Sequence, residues 1–230
     1  MALQKLTPTK LSRLLTPLYA AGVQVPTVMQ WGPPGVGKSE GVKSLAKELE
    51  KATGKKVIIH DVRLLLFNPV DLRGIPVPHT KESIRHRSEV EHHDATALTV
   101  EVEEFDQNSA EFQKQMVKVK ERFAIWLRPQ IFNMDPSDKV INILFLDEIT
   151  AAPPTVQASA YQLTLDRKVG EHTLPDNVII MGAGNRVQDK GVAYKMPTPL
   201  ANRMTHFEIT VELEDWKAWA IPNDIHPLVT

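Results

Sequence analysis

Gly32-Pro33-Pro34-Gly35-Val36-Gly37-Lys38-Ser39 fits the pattern GxxxxGK followed by Ser or Thr without a gap. Glycines at these spacings let the backbone curl until successive N–H groups point inward, a geometry that cradles phosphate oxygens. A helix opening at Lys38 or Ser39 adds the positive end of its dipole to the same point. The Lys38 ammonium can reach terminal phosphates, and the Ser39 hydroxyl can ligate Mg²⁺. A glycine-rich turn arising by chance is the competing reading. An apolar strand before the motif and an amphipathic helix after it argue against that.

Two further groups of residues complement the loop. Asp147 and Glu148 end the apolar run Ile143-Leu144-Phe145-Leu146. Carboxylates at the end of a buried strand lose hydration at a cost of several kcal/mol unless they are paired, metal-bound or solvated. At the carboxyl edge of a parallel sheet they would share a crevice with the loop, Asp147 beside the Mg²⁺ and Glu148 as the base that deprotonates water. Asn185 follows another apolar run, Ile179-Ile180-Met181, and two glycines, Gly182 and Gly184, that bring the backbone close to something. Its amide can hydrogen-bond a lytic water or a γ-phosphate, or it can be a turn residue, as Asn after Gly often is.

The elements that would position these groups follow from hydrophobic period and breakers. A helix is expected over residues 10–21, interrupted by Pro17, and a strand over 27–31 runs into the loop. A helix over 39–51 is closed by Thr53-Gly54, and strands follow at 56–60, 140–146, 178–181 and 206–209, with a helix over 155–166. The run at 140–146 is apolar nearly throughout, which suits a strand covered on both faces. Strands alternating with helices predict a doubly wound α/β fold around a parallel five-stranded sheet.

In this order, each after a strand, the loop, the acidic pair and Asn185 resemble the Walker A, Walker B and sensor-1 elements of AAA+ P-loop ATPases. Asp71-Leu72-Arg73-Gly74-Ile75-Pro76, Ala151-Ala152-Pro153-Pro154-Thr155-Val156-Gln157 and Pro199-Leu200-Ala201-Asn202-Arg203-Met204 are similar to the MoxR-type members. The resemblance implies ATP and Mg²⁺ as ligands, and Lys38, Glu148 and Asn185 as catalytic groups. It implies phosphate contacts along Gly32, Pro33, Pro34, Gly35, Val36, Gly37, Lys38 and Ser39, with the metal held by Ser39 and Asp147. It further implies that Arg203 is an arginine finger serving the neighbouring subunit of a hexameric ring. The other reading of Arg203 is a helix-end charge. A partner protein with a von Willebrand factor A domain is implied by the resemblance alone.

The rest of the chain sets limits. Its 230 residues carry 27 Lys and Arg against 28 Asp and Glu, so no global field recruits nucleic acid. The absence of Cys excludes disulfides and thiolate metal sites. No apolar run approaches the length of a membrane span, and a soluble cytoplasmic protein is expected. The organisation expected is an N-terminal helical segment at 1–24, a nucleotide-binding core at 25–212, and at 213–230 the start of a helical lid that is otherwise largely absent. A charged insertion at about 79–122 interrupts the core. Within it, 97–102 alternates like a hairpin arm, and 109–122 reads as a solvated helix. His79, His86, His92 and His93 are too loosely spaced to favour a metal site. A DNA-directed ring motor is the main alternative function, but only Lys114, Lys118 and Lys120 suggest a basic strip. A small-molecule kinase would need neither Glu148 nor a finger, and a non-hydrolysing scaffold would not need Glu148.

Overall fold

The computed structural model describes residues 3–86, 100–104, 116–170, 172–189, 193–223 and 225. Packing divides the chain into two units, one of residues 1–73 with 128–230, the other of residues 74–127.

The larger unit is built on a parallel sheet whose strands are β1 (Gln4–Leu6), β2 (Val28–Trp31), β3 (Lys56–Arg63), β7 (Val140–Asp147), β10 (Val178–Gly184) and β11 (Thr205–Ile209), in the spatial order β1-β11-β2-β10-β7-β3. The sheet therefore has six strands where five are expected from the sequence. The extra one, β1, is three residues long and shows no apolar alternation of its own. It is held by pairing with β11 and by the Thr210 N–H donating to the Leu6 carbonyl at 2.9 Å.

Alternate residues of each central strand feed two cores, which explains the unbroken apolar character of β7. Ile143 and Phe145 pack with Val28, Met181 and the helices α1 (Pro8–Ala20) and α2 (Lys38–Thr53). Leu144 and Leu146 pack on the opposite face with Met29, Ile180, Phe132 and residues of α3 (Pro69–Arg73), α4 (Pro154–Leu165) and α5 (Thr198–Ala201). A parallel sheet covered on both faces by helices is the doubly wound arrangement. Two polar groups inside it are satisfied: the wholly buried Asn142 accepts from His60 Nε2 through Oδ1 at 3.0 Å, and its Nδ2 donates to the Asp135 carbonyl at 2.8 Å.

Helix α1 continues through Pro17 to Ala20 rather than breaking there. Proline removes one N–H near the end of the helix, and the Thr16 hydroxyl donates to the Ser12 carbonyl at 2.9 Å in the same turn. Helix α2 is bounded by two glycines in left-handed geometry, Gly37 at φ 88° and Gly54 at φ 70°. The last helix, α6 (Leu213–Ala220), follows β11. Among the described residues no helix is long and apolar enough to cross a membrane.

The smaller unit is an antiparallel sheet of β4 (Ile75–His86), β6 (Met116–Leu127) and β5 (Val100–Glu104), with β6 in the middle. It corrects the helix expected over 109–122. From residue 116 onward that segment is a strand, and 109–115 lie outside the described residues. Val117, Val119, Phe123, Ile125 and Leu127 all fall at odd positions, broken only by Glu121, a two-residue period that suits a strand and not a helix. Lys118 and Lys120 stand at register positions opposite Glu103 and Glu101, so the basic strip considered for nucleic acid is paired in register with acidic positions. His79 and His86 fall on β4, whereas His92 and His93 lie outside the described residues.

Phe145, 2% exposed in β7, packs in the core with Val28, Met181, Val42 and Leu45. Phe145→Ala should cost about 3–5 kcal/mol of unfolding free energy, measured by urea denaturation followed by circular dichroism.

Candidate nucleotide site

Strands β2, β7 and β10 end at the same edge of the sheet because they are parallel and in step. Trp31 of β2 pairs with Gly184 of β10, and Leu146 of β7 pairs with Gly182. The residues just beyond these ends, Gly32, Asp147 and Asn185, therefore meet.

The loop after β2 turns through two left-handed glycines, Gly35 at φ 81° and Gly37 at φ 88°, where a side chain would be strained. Its third glycine is needed for a different reason. A Cβ on Gly32 would lie 2.9 Å from the Ile209 carbonyl oxygen, so that strand and loop could not approach. Lys38 folds back over the loop. Its ammonium donates to the Gly32 carbonyl at 2.7 Å, the Pro33 carbonyl at 2.9 Å and Asn185 Oδ1 at 3.0 Å. Burial pushes its pKa below the ordinary lysine value, and the Asp147 carboxylate is the strongest influence in the other direction.

Ser39 Oγ donates to Asp147 Oδ2 at 3.1 Å, and Asp147 Oδ1 accepts the Glu148 N–H at 2.8 Å. A hydroxyl and a carboxylate held side by side form an all-oxygen donor pair of the kind Mg²⁺ takes from proteins, the remaining positions going to water and phosphate. Among the described residues no group of three or more His, Asp or Glu gathers into a protein-only metal site. Glu148 is exposed and adopts φ 56°, which a non-glycine residue rarely does. Asn185, read from sequence as either a ligand-facing amide or a turn residue, faces Lys38 directly.

Arg203 does not join this group. It is exposed beyond α5, with its guanidinium carbon 5.9 Å from the centre of the Tyr161 ring. Three residues on, His206 Nδ1 accepts the Trp31 indole N–H at 2.8 Å while Nε2 donates to the Ala201 carbonyl at 2.5 Å. These partners require the neutral imidazole protonated on Nε2.

Three features escaped the sequence reading. A cavity of about 410 Å³ adjoins the loop, walled by Thr7, Pro8, Val36, Asp215, Trp216 and Trp219. It is closed at one side by Thr7 Oγ1 donating to Asp215 and by Lys10 paired with Glu212 at 2.5 Å. The tryptophans three apart in α6 were its only trace in the sequence. Arg186, next to Asn185, donates to Glu208 Oε1 at 2.8 Å and Asp189 Oδ1 at 2.9 Å, which holds the Asp189 carboxyl below the usual carboxylate range. Thr150 is the third, and its hydroxyl bonds Asn185.

A lysine over a glycine-rich loop, beside a strand-end carboxylate on a doubly wound sheet, defines a P-loop nucleotide-binding protein. Residues 28–213 match the family "ATPase family associated with various cellular activities (AAA)". The chain belongs to that family. Among solved structures it is similar to a "putative ATPase" from Cytophaga hutchinsonii, with 17% identity, a TM-score of 0.49, and coverage of 93% of this chain and 50% of that one. It is also similar to a RuvB mutant from Thermotoga maritima, with 16% identity, a TM-score of 0.44, and coverage of 94% and 50%. The chain thus spans about half the length of each. No curated protein sequence matches it significantly.

The glycines of β10 meet what the sequence left open. A Cβ on Gly184 would come within 2.8 Å of both Met29 Cε and Thr150 Oγ1. Met29 can bend away, but Thr150 is tied to Asn185. Gly184→Ala should therefore lower unfolding free energy by about 1–3 kcal/mol, read as a lower denaturation midpoint at unchanged slope.

Proposed function

We propose that this chain is the ATP-hydrolysing module of a MoxR-type AAA+ protein, acting in the cytoplasm as a hexameric ring to remodel a partner protein. The observation that carries the reading is the convergence of Lys38, Ser39, Asp147 and Asn185 at one sheet edge, with an exposed carboxylate, Glu148, beside them.

In this reading Lys38 exchanges the carbonyls of Gly32 and Pro33 for the β- and γ-phosphates of ATP. The backbone N–H groups of Gly35 to Ser39 hold the remaining oxygens, Pro33 and Pro34 having none to donate, and the cavity walled by Pro8, Val36, Trp216 and Trp219 receives the base. Ser39 and Asp147 would hold Mg²⁺, which when bound supplies positive charge against the phosphates. Glu148 takes the proton of the attacking water, and Asn185 orients that water from the opposite side. Arg203, exposed and set over the Tyr161 ring, serves the γ-phosphate of the next subunit. The resemblance alone suggests the partner, a protein with a von Willebrand factor A domain; co-purification of native interactors tests it.

Lys38→Ala should abolish ATP binding in calorimetry, since the loop loses the ammonium placed over it. Glu148→Gln should bind ATP while hydrolysis falls by about 10²-fold or more. Turnover at the wild-type rate in that variant would remove Glu148 from the chemistry.

The ring is tested through Arg203. A finger acting between subunits contributes roughly 10³–10⁵ in turnover, so specific activity should rise with protein concentration and Arg203→Ala should flatten the rise without weakening ATP binding. Mixtures of Arg203→Ala with Glu148→Gln should regain partial activity, because some interfaces then combine an intact Glu148 with an intact Arg203. Dead mixtures alongside a concentration-independent wild type would make Arg203 a helix-end charge.

A further inference from the structure

Beyond Gly184 the strand β10 is over, and the backbone of Asn185 has no ladder partner. One side chain takes that role. The Thr150 hydroxyl donates to the Asn185 carbonyl at 3.0 Å and accepts the Asn185 N–H at 3.0 Å. A hydroxyl carries one proton and two lone pairs, so both bonds form at once. Thr150 is 2% exposed, which leaves water little access to compete for either. Its own position is fixed independently, because its carbonyl accepts the Tyr194 N–H at 2.6 Å. Threonine also fits the space closely, since a Cβ on Gly184 would meet Thr150 Oγ1 at 2.8 Å and Cγ2 at 2.9 Å.

Thr150 lies in the 3₁₀ turn Ile149–Ala151 that begins directly after Glu148. The same short segment therefore carries the proposed base and grips the residue whose amide accepts from Lys38. We infer that Thr150 is a positioning residue for ATP hydrolysis, locking Asn185 at a fixed offset from Glu148 so that base and water-orienting amide keep one geometry. The inference rests on the assignment of Asn185 to the hydrolytic site. Thr150 touches neither nucleotide nor water in this role; it acts through Asn185.

Thr150→Val keeps the shape and removes both bonds, and Thr150→Ala removes them without placing a methyl against the Asn185 N–H. Both variants should bind ATP as the wild type does while kcat falls about 10- to 100-fold, the scale of an angstrom-level misplacement. Thr150→Ser keeps the hydroxyl and should restore most of kcat. In an Asn185→Ala background, adding Thr150→Ala should cost nothing more in kcat, because residues acting through one another are not additive. Wild-type kcat in both hydroxyl-less variants, or full additivity with Asn185→Ala, would overturn the inference. Amide hydrogen exchange at Asn185 decides the matter even if the wild type hydrolyses nothing, which would sink the ATPase reading separately. Exchange should be slow in wild type and in Thr150→Ser and much faster in Thr150→Ala; unchanged exchange means Thr150 does not hold Asn185.

Discussion

The site depends on three parallel strands ending in step. With Trp31 opposite Gly184 and Gly182 opposite Leu146, the next residues along each chain are a loop glycine, an amide and a carboxylate. A slip of one residue in any of these pairings would turn the apolar side chains of that strand from one core to the other, so the two cores enforce the register. Packing at Phe145, Met29 and Ile180 thus governs the placement of groups that none of them touches. The long apolar run of β7, which carries no carboxylate until its end, is the price of that alignment.

Electrostatics then acts on what the register delivers. Lys38 is partly buried, and burial alone would favour its neutral form. The Asp147 carboxylate pulls the other way, and the contacts of the amine are two carbonyls and Asn185 Oδ1, all neutral acceptors and none of them a fixed anion. Bonds to neutral acceptors can be surrendered to phosphate more cheaply than a formed ion pair could. The nearby carboxylates are occupied elsewhere: Asp147 by Ser39 Oγ and the Glu148 N–H, Asp189 and Glu208 by Arg186.

How much of this the sequence disclosed follows from the range of each interaction. The phosphate loop, the acidic pair and Asn185 are contiguous motifs after strands, and contiguity is what a sequence displays. The central strands were legible for the same reason, since β2, β7 and β10 advertise burial within a few residues. Strand β1 was not, because three residues have no period and are held by a partner some two hundred positions away. The helix expected over 109–122 failed where charge was weighed above the two-residue period of Val117 to Leu127. The cavity at Trp216 and Trp219 joins the two ends of the chain, and Thr150 meets Asn185 across 35 positions. Such meetings leave no local trace.

Glu148 shows where local preference yields to the site. At φ 56° a glycine would be easier, and a carboxylate residue held there costs on the order of 1–3 kcal/mol. The turn is over-determined around it: Asp147 takes its N–H, and its carbonyl accepts from Ala151 at 3.0 Å and from Ala152 at 3.3 Å. With the backbone held on both sides, the side chain stays in solvent while Ile149 and Thr150, its immediate successors, are buried. An extended residue at this point would continue β7 and place the carboxylate on one of its covered faces. The left-handed turn instead ends the strand at Asp147 and leaves the two acids with different surroundings, one tied to Ser39 and the other open to water. The roles proposed for these two acids, metal ligand and general base, would require that difference, and here it follows from a single backbone angle.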